Sequence, residues 1–547
     1  MELAPEVRSS ARANDTSGES LPQLVVVFLA AYLILFCGMS RRPGMYDEGI
    51  VLTGAMRVAA GQIPHRDFYF IYGPAEVYIL AGLFKVFGPS LLVERLFDLL
   101  IKALLVTSVY GIVASYCRRS IAVFVSVVTV LWLFGLSEFG LATTPVSLFN
   151  VVGSALLLPV FAGRVSTRRM VAVGAISGAA SLFRYDTGIA LLGIHVCAIA
   201  TAVFLGSKGT ANRLRTFTSI FWPYLLGFAL LTLVPALYYF SVAPPAALFH
   251  DIILFPGKYY ARARNLPFPP LSVRELENLG IYLPIAIACI SFYGLVKLRF
   301  GEVKEWKGFL ITFGLLLGVM YVKGLVRVSV VQMYLAIIPS LLLIAVLFEH
   351  RPAFSRPVRI AISWLLWLSA VPATWSALHE VRLEDLQHSS LVSLIVNVPE
   401  ERTAWCKMTS PLTEGYCFLP ENDRMHAIEF ISSHTRPGQP LYAGLSHHDR
   451  VVANDNLIYF ATQRLPATHW SHFDPDLQNR LDIQTQMVDE LEQKAPPYIV
   501  LDAEFELSHE PNDSAKSSGV TLLDDYIHEK YQPSESFGTM SIWQRRP

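Results

Sequence analysis

Eleven apolar stretches follow one another along the first 378 residues, and they limit the fold of this chain more than any other feature. A helix of about 20 apolar residues crosses the ~30 Å hydrocarbon core of a bilayer, because every backbone amide finds its hydrogen-bond partner within the segment. The stretches comprise residues 22–39, 96–116, 120–137, 146–163, 170–183, 187–206, 217–241, 280–296, 308–322, 330–348 and 359–378. The pattern predicts a polytopic α-helical membrane protein with about eleven transmembrane helices.

The composition agrees with lipid as the main solvent. Apolar residues make up 53% of the 547 residues and charged residues only 16%, against about 25% charged in typical soluble proteins. The 44 Lys and Arg residues balance the 44 Asp and Glu residues, and the mean hydropathy is +0.43. The sequence therefore excludes a wholly soluble protein, and it offers no overall basic field to hold nucleic acid.

The distribution of basic residues predicts the orientation. Residues 1–21 mix acids and bases and lack the pattern of a cleaved signal peptide, so we expect a cytoplasmic tail. Basic clusters fall in alternate connections, at Arg118 and Arg119, at Arg164, Arg168 and Arg169, at Lys208, Arg213 and Arg215, at 297–307, and at Arg351, Arg356 and Arg359. Basic loops stay in the cytoplasm. Loop 1 (residues 40–95), loop 4 (residues 242–279) and everything after residue 378 are then extracytoplasmic.

Residues 379–547 are more polar than the preceding chain and predict a soluble extracytoplasmic α/β domain, outside a transmembrane domain at 22–378. Helical patterns at 424–434 and 484–494 precede short apolar strands at 440–444 and 498–501, and residues 506–520 have a loop composition. Cys406 and Cys417 lie close enough in sequence that they could pair in an oxidising compartment, which the sequence leaves open.

Loop 1 carries the sharpest local pattern. Asp47 and Glu48 lie just beyond the first apolar stretch, and an aromatic segment with Arg66, Asp67, Tyr69 and Tyr72 follows, ahead of an interfacial helix at 77–87. Two acids at a helix start are also typical of an ordinary solvated helix, where they gain ~0.3–1 kcal/mol from the helix dipole. The aromatic, proline-containing loop favours a site that meets a lipid-borne substrate at headgroup depth.

These residues resemble those of the GT-C membrane glycosyltransferases. Asp47-Glu48, the run Arg66-Asp-Phe-Tyr-Phe-Ile-Tyr-Gly-Pro74 and Glu94-Arg95 are similar to the branch related to protein O-mannosyltransferases and to bacterial enzymes that take sugars from polyprenyl phosphate. The layout resembles this family over all eleven stretches, and residues 442–450 with Asn454 and Asp455 are similar to its attached soluble domains. The resemblance implies a GT-C-type bundle with Asp47 as general base, and Arg95 resembles an arginine that the family keeps.

The chemistry of such a transfer independently requires a base and a phosphate clamp. A carboxylate must take the proton of the acceptor hydroxyl, and adjacent Glu48 would raise the pKa of Asp47 by like-charge repulsion. The departing lipid phosphate requires fixed cations. The candidates are Arg95, Lys258, Arg262, Arg264, Lys323 and Arg327. The basic side chains of loop 4 could equally neutralise lipid headgroups.

Two further sets of charged residues have two interpretations each. The stretch 170–183 spans only about 21 Å as a helix, so Arg184 and Asp186 are predicted to form an ion pair, either lining a cavity below the surface or purely structural. Glu138, in a short extracytoplasmic loop, matches in position a second acid that some GT-C enzymes use near the donor or a divalent metal. It is equally an ordinary solvated glutamate.

No metal ion is predicted to be obligatory. His447 and His448, with His469 and His472, raise the idea of a zinc site, but adjacent histidines point apart on a strand, and we expect a surface turn at 447–449. Mg²⁺ or Mn²⁺ at Asp47, Glu48 and Glu138 stays open. Nucleotide-binding and acyl-enzyme motifs are missing from the sequence, which favours a lipid-linked donor.

The sequence therefore predicts an inverting glycosyltransferase in the cell membrane. It would move one sugar from a polyprenyl-phosphate donor to a hydroxyl of a glycan, lipid or protein at the outer face, with membrane lipids as its other partners and no nucleic acid. A transporter or flippase for a polyprenyl-linked sugar is the first alternative. A non-catalytic scaffold that recruits partners through the α/β domain is the second.

Overall fold

The structure is a computed structural model that describes residues 20–40, 42–135, 139–206, 209–297, 304–380, 422–507 and 510–547. The helices of the first 380 residues are α1 (Leu21–Cys37), α2 (Asp47–Ala59), α3 (Ala75–Phe87), α4 (Leu91–Tyr116), α5 (Arg119–Gly135), α6 (Thr143–Leu157), α7 (Thr167–Phe183), α8 (Tyr185–Gly206), α9 (Thr210–Val242), α10 (Leu279–Lys297), α11 (Lys304–Gly324), α12 (Val330–Glu349), α13 (Arg356–Leu368) and α14 (Ala370–Glu380). Loop 4 adds a π-helical segment, His250–Tyr260.

Every apolar stretch of the sequence coincides with helix over most of its described residues. Among the described residues, eight helical segments are long and apolar enough to cross a membrane, and α1 and α5 are shorter apolar helices. The stretch 170–183 lies on α7, which has 17 residues. The chain is a polytopic α-helical membrane protein, as predicted. The total of eleven spans and the side of the membrane that each loop faces stay predictions.

Helix α12 forms the centre of the bundle. Its start is fixed by Ser329, whose hydroxyl accepts a hydrogen bond from the amide of Gln332, and its side chains from Met333 to Leu347 are buried. In contrast, α9 leaves large apolar side chains such as Trp222, Val234 and Phe240 exposed. A bilayer accounts for this, because lipid solvates apolar side chains as well as a protein core does.

The two loop 1 helices pack against each other and against the bundle. Helix α2 is buried from Glu48 to Val58, so it is not a solvated surface helix. Gly54 allows the close approach of α3, since a Cβ at this position would lie 2.9 Å from Val77. The interfacial helix predicted at 77–87 is α3, and it begins two residues earlier, after Pro74.

The C-terminal unit is a five-stranded mixed sheet with helices. It contains α15 (Asn422–His434), β1 (Pro440–Leu445), α16 (Leu457–Thr462), β2 (Leu465–Pro466), α17 (Leu481–Lys494), β3 (Tyr498–Asp502), α18 (Leu522–Lys530), β4 (Tyr531–Phe537) and β5 (Met540–Arg545). The strand order is β2-β1-β3-β5-β4. Strand β1 pairs in parallel with β2 and β3, and β5 is antiparallel to both β3 and β4. The predicted α/β class is confirmed.

The C-terminal unit packs directly on loop 1. The rings of Phe84 and Phe460 lie 5.7 Å apart within one hydrophobic core, and the amide of Asn456 donates to the carbonyl of Met45 at 3.0 Å. The contact is therefore part of the fold of both regions. The domain boundary at 378/379 stays a prediction, and Cys406 and Cys417 lie outside the described residues.

Candidate active site

Asp47 is the first residue of α2 and lies at the meeting point of loop 1, loop 4 and the C-terminal unit. The side chain is half-buried, and the Tyr72 hydroxyl donates to its Oδ1 at 3.0 Å. Burial raises the pKa of Asp47, while the Tyr72 hydrogen bond and the nearby His472 and Arg264 oppose that rise without cancelling it. A half-buried carboxylate with a raised pKa is suited to accept a proton.

Glu48 has a different environment. It is 2% exposed, and the Arg95 guanidinium donates to both carboxylate oxygens, at 2.6 Å from Nε and 2.9 Å from Nη2. Arg95 also donates to the backbone carbonyls of Ser40 and Arg42. This bidentate pair fixes the end of α1 to the start of α2.

Glu48 does not have the electrostatic role that was expected, which was to raise the pKa of Asp47 by like-charge repulsion. The rise in the pKa of Asp47 comes from burial, and the charges acting on Asp47 are those of His472, Arg264 and Asp474. The Glu48 carboxylate is instead neutralised by Arg95. The role of Arg95 in phosphate binding stays a prediction, although its hydrogen bonds to Glu48 and to loop 1 already account for its position.

Tyr46 joins the three regions around Asp47. Its hydroxyl donates to the carbonyl of Phe473 at 2.7 Å and lies 3.2 Å from both His472 Nε2 and Asp474 Oδ1. Arg264 from loop 4 donates to the same hydroxyl at 3.1 Å and to Asp474 at 3.2 Å. Burial would raise the pKa of Asp474, but His472 and Arg264 lower it overall, so this buried acid is ionised.

A second charged group, formed by Arg184, Asp186 and Lys323, lies close to Tyr72. Asp186 lies 3.4 Å from Arg184 Nε and 2.9 Å from Lys323 Nζ. The Arg184 guanidinium also lies 5.7 Å from the centre of the Tyr72 ring. The predicted Arg184–Asp186 pair is therefore formed, with Lys323 as an additional partner. The two cations and one anion leave this group with a net positive charge.

Three of the remaining predicted cations contact the C-terminal unit. Arg327 donates to Glu510 at 2.9 and 2.7 Å, and Arg264 Nη1 lies 3.8 Å from Glu510. Arg262 pairs with Asp513 at 2.9 Å but is 77% exposed. Lys258 is exposed beside Tyr259. Glu510 and Asp513, which lie in the segment predicted as a loop at 506–520, thus connect the C-terminal unit to loop 4.

The four loop 1 residues that were predicted to contact the substrate divide into two pairs. Tyr69 and Tyr72 lie at the site, since the Tyr69 hydroxyl donates to Asp474 at 3.4 Å and Tyr72 bonds Asp47. Arg66 and Asp67 pair with each other at 2.6 Å, and Asp67 also accepts from the amide of Ile63. This second pair shapes a turn. Glu138 lies outside the described residues.

Of the two adjacent histidines that were expected in a surface turn, His447 agrees with the expectation and His448 does not. His447 is exposed and lies 3.7 Å from Glu506, as a surface turn predicts. His448 is buried, and its ring nitrogens lie 2.6 Å from the Tyr442 hydroxyl and 2.6 Å from Asp524. The described part of the chain holds no group of three or more His, Cys, Asp or Glu side chains that could bind a metal ion.

Sequence reasoning missed Tyr46, His472 and Asp474 as site residues. The sequence suggested His472 only as a zinc ligand, and it gave no reason to single out Tyr46 or Asp474. The contact joins residues 426 positions apart, and a single sequence contains no signal of such a pairing.

No family model and no curated protein sequence matches the chain, but solved structures do. ArnT from Cupriavidus metallidurans bound to undecaprenyl phosphate aligns with 96% of this chain and 98% of its own, at 15% identity and a TM-score of 0.54. The same protein in the apo state aligns with 95% and 98%, at 15% identity and a TM-score of 0.56. The chain shares the fold of ArnT. The alignment to ArnT extends through both the helical bundle and the C-terminal unit, so the shared fold includes the sheet. The predicted fold class is confirmed.

Proposed function

We propose that the protein is an inverting glycosyltransferase that moves one sugar from a polyprenyl-phosphate donor to an acceptor hydroxyl at the outer face of the membrane. The observation that carries the proposal is the position of Asp47. It is a half-buried carboxylate with a raised pKa, held by Tyr72, in a chain whose fold matches that of ArnT.

Asp47 would act as the general base. It is the one acid in the site that is half-exposed and has no cation within ion-pair distance among the described residues. Glu48 is neutralised by Arg95, and Asp474 by Arg264 and His472. A base must be within hydrogen-bond reach of the proton that it accepts, and the partly exposed Asp47 carboxylate is held by a neutral hydroxyl, which leaves it able to accept a proton.

The donor phosphate would bind at Arg184 and Lys323. These two cations share one carboxylate, Asp186, which is 53% exposed, so an additional anion gains from their net charge. Arg264 and Arg327, in contrast, are offset by Asp474 and Glu510. The ArnT structure was determined with undecaprenyl phosphate bound, which supports a lipid phosphate as the leaving group here.

The reaction would be a single displacement. Asp47 accepts the hydroxyl proton of the acceptor as its oxygen forms a bond to the anomeric carbon, and the bond from that carbon to the phosphate oxygen breaks. The electron pair leaves on the polyprenyl phosphate, where Arg184 and Lys323 stabilise its charge. Attack opposite the leaving group inverts the anomeric configuration.

Release of free polyprenyl phosphate tests this proposal, because a flippase releases none. Purified protein in liposomes is supplied with polyprenyl-phosphate hexoses and pentoses and with a membrane extract as the acceptor source. We expect release and incorporation of sugar by the wild type, and a loss of about 100-fold or more in Asp47→Asn. The matched control is Asp482→Asn, which removes a 61% exposed acid of the C-terminal unit and should leave turnover unchanged.

Two outcomes would contradict the proposal. The first is movement of donor across the bilayer without release of polyprenyl phosphate, as a transporter would give. The second is undiminished transfer by Asp47→Asn. A parallel assay in excess chelator tests whether turnover requires Mg²⁺ or Mn²⁺, which the proposal does not need, since Arg184 and Lys323 supply the charge.

A further inference from the structure

Loop 1 contacts the end of α7 through its backbone. The amide of Gly73 donates to the carbonyl of Phe183 at 2.8 Å, and Phe183 is the last residue of α7. The last carbonyls of a helix have no partner within that helix. In a continued helix the amide of Thr187 would bond Phe183, but it donates to Asp186 Oδ1 at 2.7 Å instead. Gly73 therefore caps the C-terminal end of α7.

Position 73 requires glycine because the two backbones approach so closely. A Cβ there would lie 2.5 Å from the carbonyl carbon of Leu182 and 2.8 Å from that of Phe183. Carbon atoms pack at ~3.5–4.0 Å, so a larger residue must move loop 1 and α7 apart by about 1 Å. The neighbours are backbone atoms, which cannot rotate away as the end of a side chain can. The contact therefore sets the separation of the two segments.

The residues next to this contact belong to the proposed active site. Tyr72 precedes Gly73, and its hydroxyl donates to Asp47 Oδ1 at 3.0 Å. Arg184 follows Phe183, and its guanidinium lies 5.7 Å from the centre of the Tyr72 ring. The hydroxyl end of Tyr72 thus bonds the carboxylate, while the ring lies near the cation. One tyrosine side chain and one backbone hydrogen bond connect the two charged groups.

The Tyr72 ring is itself held by packing. The ring of Phe70, which is 1% exposed, lies 5.9 Å from the Tyr72 ring at an interplanar angle of 83°. Phe70 also lies against α2, since a Cβ at Gly54 would be 3.4 Å from its ring. Helix α2 begins with Asp47. The same packed residues therefore hold Tyr72 and the helix that carries the proposed base.

The separation of base and phosphate is critical in a single displacement. The acceptor oxygen must be within hydrogen-bond reach of the base and ~3–3.5 Å from the anomeric carbon. That carbon is bonded directly to the phosphate oxygen that leaves. The chemistry therefore fixes the distance from the base to the cations that bind the phosphate, and a misplacement of about 1 Å can lower the rate ~100-fold.

We propose that Tyr72 and Gly73 are positioning residues that together set the distance from Asp47 to the cations Arg184 and Lys323. Gly73 fixes loop 1 to the end of α7, and Tyr72 fixes the carboxylate to loop 1. The consequence for turnover rests on the proposed function. The separation of loop 1 from α7 does not, and the two are measured separately.

The cation pair itself lies outside loop 1. Asp186 of α8 lies 3.4 Å from Arg184 and 2.9 Å from Lys323 of α11. A change in loop 1 should therefore leave the binding of polyprenyl phosphate nearly intact, because losing the Tyr72 ring near Arg184 weakens it by no more than about fivefold. A positioning role lowers kcat and spares phosphate binding, whereas a merely structural role lowers both.

The test compares two loop 1 variants with the wild type in lipid nanodiscs. Gly73→Ala displaces loop 1 from α7, and Tyr72→Phe keeps the ring but removes the hydrogen bond to Asp47. The matched control is Gly193→Ala in α8, where a Cβ would meet nothing within 4 Å. Each protein is measured for kcat, for its affinity for polyprenyl phosphate without a sugar, and for the ligand-free structure by a density map.

We expect kcat to fall about 100-fold in Gly73→Ala and about 10-fold in Tyr72→Phe, with phosphate affinity changed by no more than about fivefold and the control unchanged. The map of Gly73→Ala should show the Tyr72 ring about 1 Å farther from Arg184. If Gly73→Ala does not fold, Tyr72→Phe decides, since it leaves the backbone contact intact.

Three results would overturn the inference: unchanged kcat in either variant, an equal loss of kcat and of phosphate affinity, or an unchanged separation in the map. If the map shows the displacement and the wild-type protein transfers no sugar, the proposed function fails, and the positioning of loop 1 by Gly73 stands.

Discussion

At the scale of single residues, neighbours in sequence have opposite environments in this site. Asp47 is half-buried and, among the described residues, is bonded by the neutral hydroxyl of Tyr72, while Glu48 is buried in a bidentate pair with Arg95. The sequence showed two equivalent acids, and the prediction could assign the base only through a resemblance. What separates them is the direction of each side chain at the start of α2, which depends on where α4 brings Arg95.

The pH dependence of stability tests the environment of Asp47. Because burial raises the pKa of Asp47, the folded state favours the protonated acid, and the ionised form destabilises it at neutral pH. Asp47→Asn should therefore raise the unfolding temperature at pH 7 while it abolishes transfer. The gain should shrink as the pH falls and vanish below the ordinary pKa of an aspartate. Calorimetry in detergent measures this, and a lower unfolding temperature at pH 7 would argue against the assignment.

The Glu48–Arg95 pair gives a second prediction at this scale. Replacing Arg95 by Gln leaves a buried carboxylate without its cation, which costs about 3–5 kcal/mol. Adding Glu48→Gln removes the unpaired charge, so the double variant should recover much of that loss. A double-mutant cycle on the free energy of unfolding measures the coupling. Additive losses would show that the two side chains do not depend on each other.

At the scale of elements, the sequence predicted what local pattern determines. The apolar stretches, α3, β1 and β3 all lie where periodicity and composition predicted them, because burial in lipid or in a sheet core leaves a repeating signal. Strands β4 and β5 were missed. In β4 five consecutive residues are exposed, so the strand is specified by its pairing with β5 and not by an alternating pattern.

The contact between α2 and the C-terminal unit depends on Gly49. A Cβ at this position would lie 2.7 Å from the backbone nitrogen of Leu457, and backbone atoms cannot move as a flexible side chain can. Gly49→Ala should therefore destabilise the protein by about 1–3 kcal/mol and reduce transfer, because α2 begins with Asp47. The free energy of unfolding and turnover are measured together.

Gly82 is the matched control for Gly49. It lies in α3, and a Cβ there would meet nothing within 4 Å. Gly82→Ala should leave turnover unchanged and stabilise the helix by about 0.5–1 kcal/mol. Equal effects of the two substitutions would mean that the close approach of α2 to α16 is not what Gly49 provides.

At the scale of the whole molecule, the surroundings of Asp47 are formed where three distant regions meet. Loop 1 supplies Asp47 and Tyr72, loop 4 supplies Arg264, and the C-terminal unit supplies His472 and Asp474. The sequence predicted Asp47 and Tyr72 as site residues because both lie within loop 1. The contribution of the C-terminal unit could not be predicted, since nothing in one sequence relates Tyr46 to a residue 426 positions later.

The shared core predicts that the bundle and the C-terminal unit unfold together. Phe460 is 2% exposed and packs on Phe84 of loop 1. Phe460→Ala should lower stability by about 3–5 kcal/mol within a single calorimetric transition, and Leu481→Ala, at a 60% exposed position, should change it by less than about 0.5 kcal/mol. Two separate transitions in the wild type would show that the units fold independently.

The most direct measurement of the central claim is a density map of the protein in a lipid nanodisc with a polyprenyl-phosphate sugar bound. We expect the phosphate to lie against Arg184 and Lys323, with the sugar extending toward Asp47 on the loop 1 face. One sugar and one hydrogen-bonded hydroxyl bridge at most ~10 Å. A phosphate farther than that from Asp47, or one bound at the opposite face of the bundle, would contradict it.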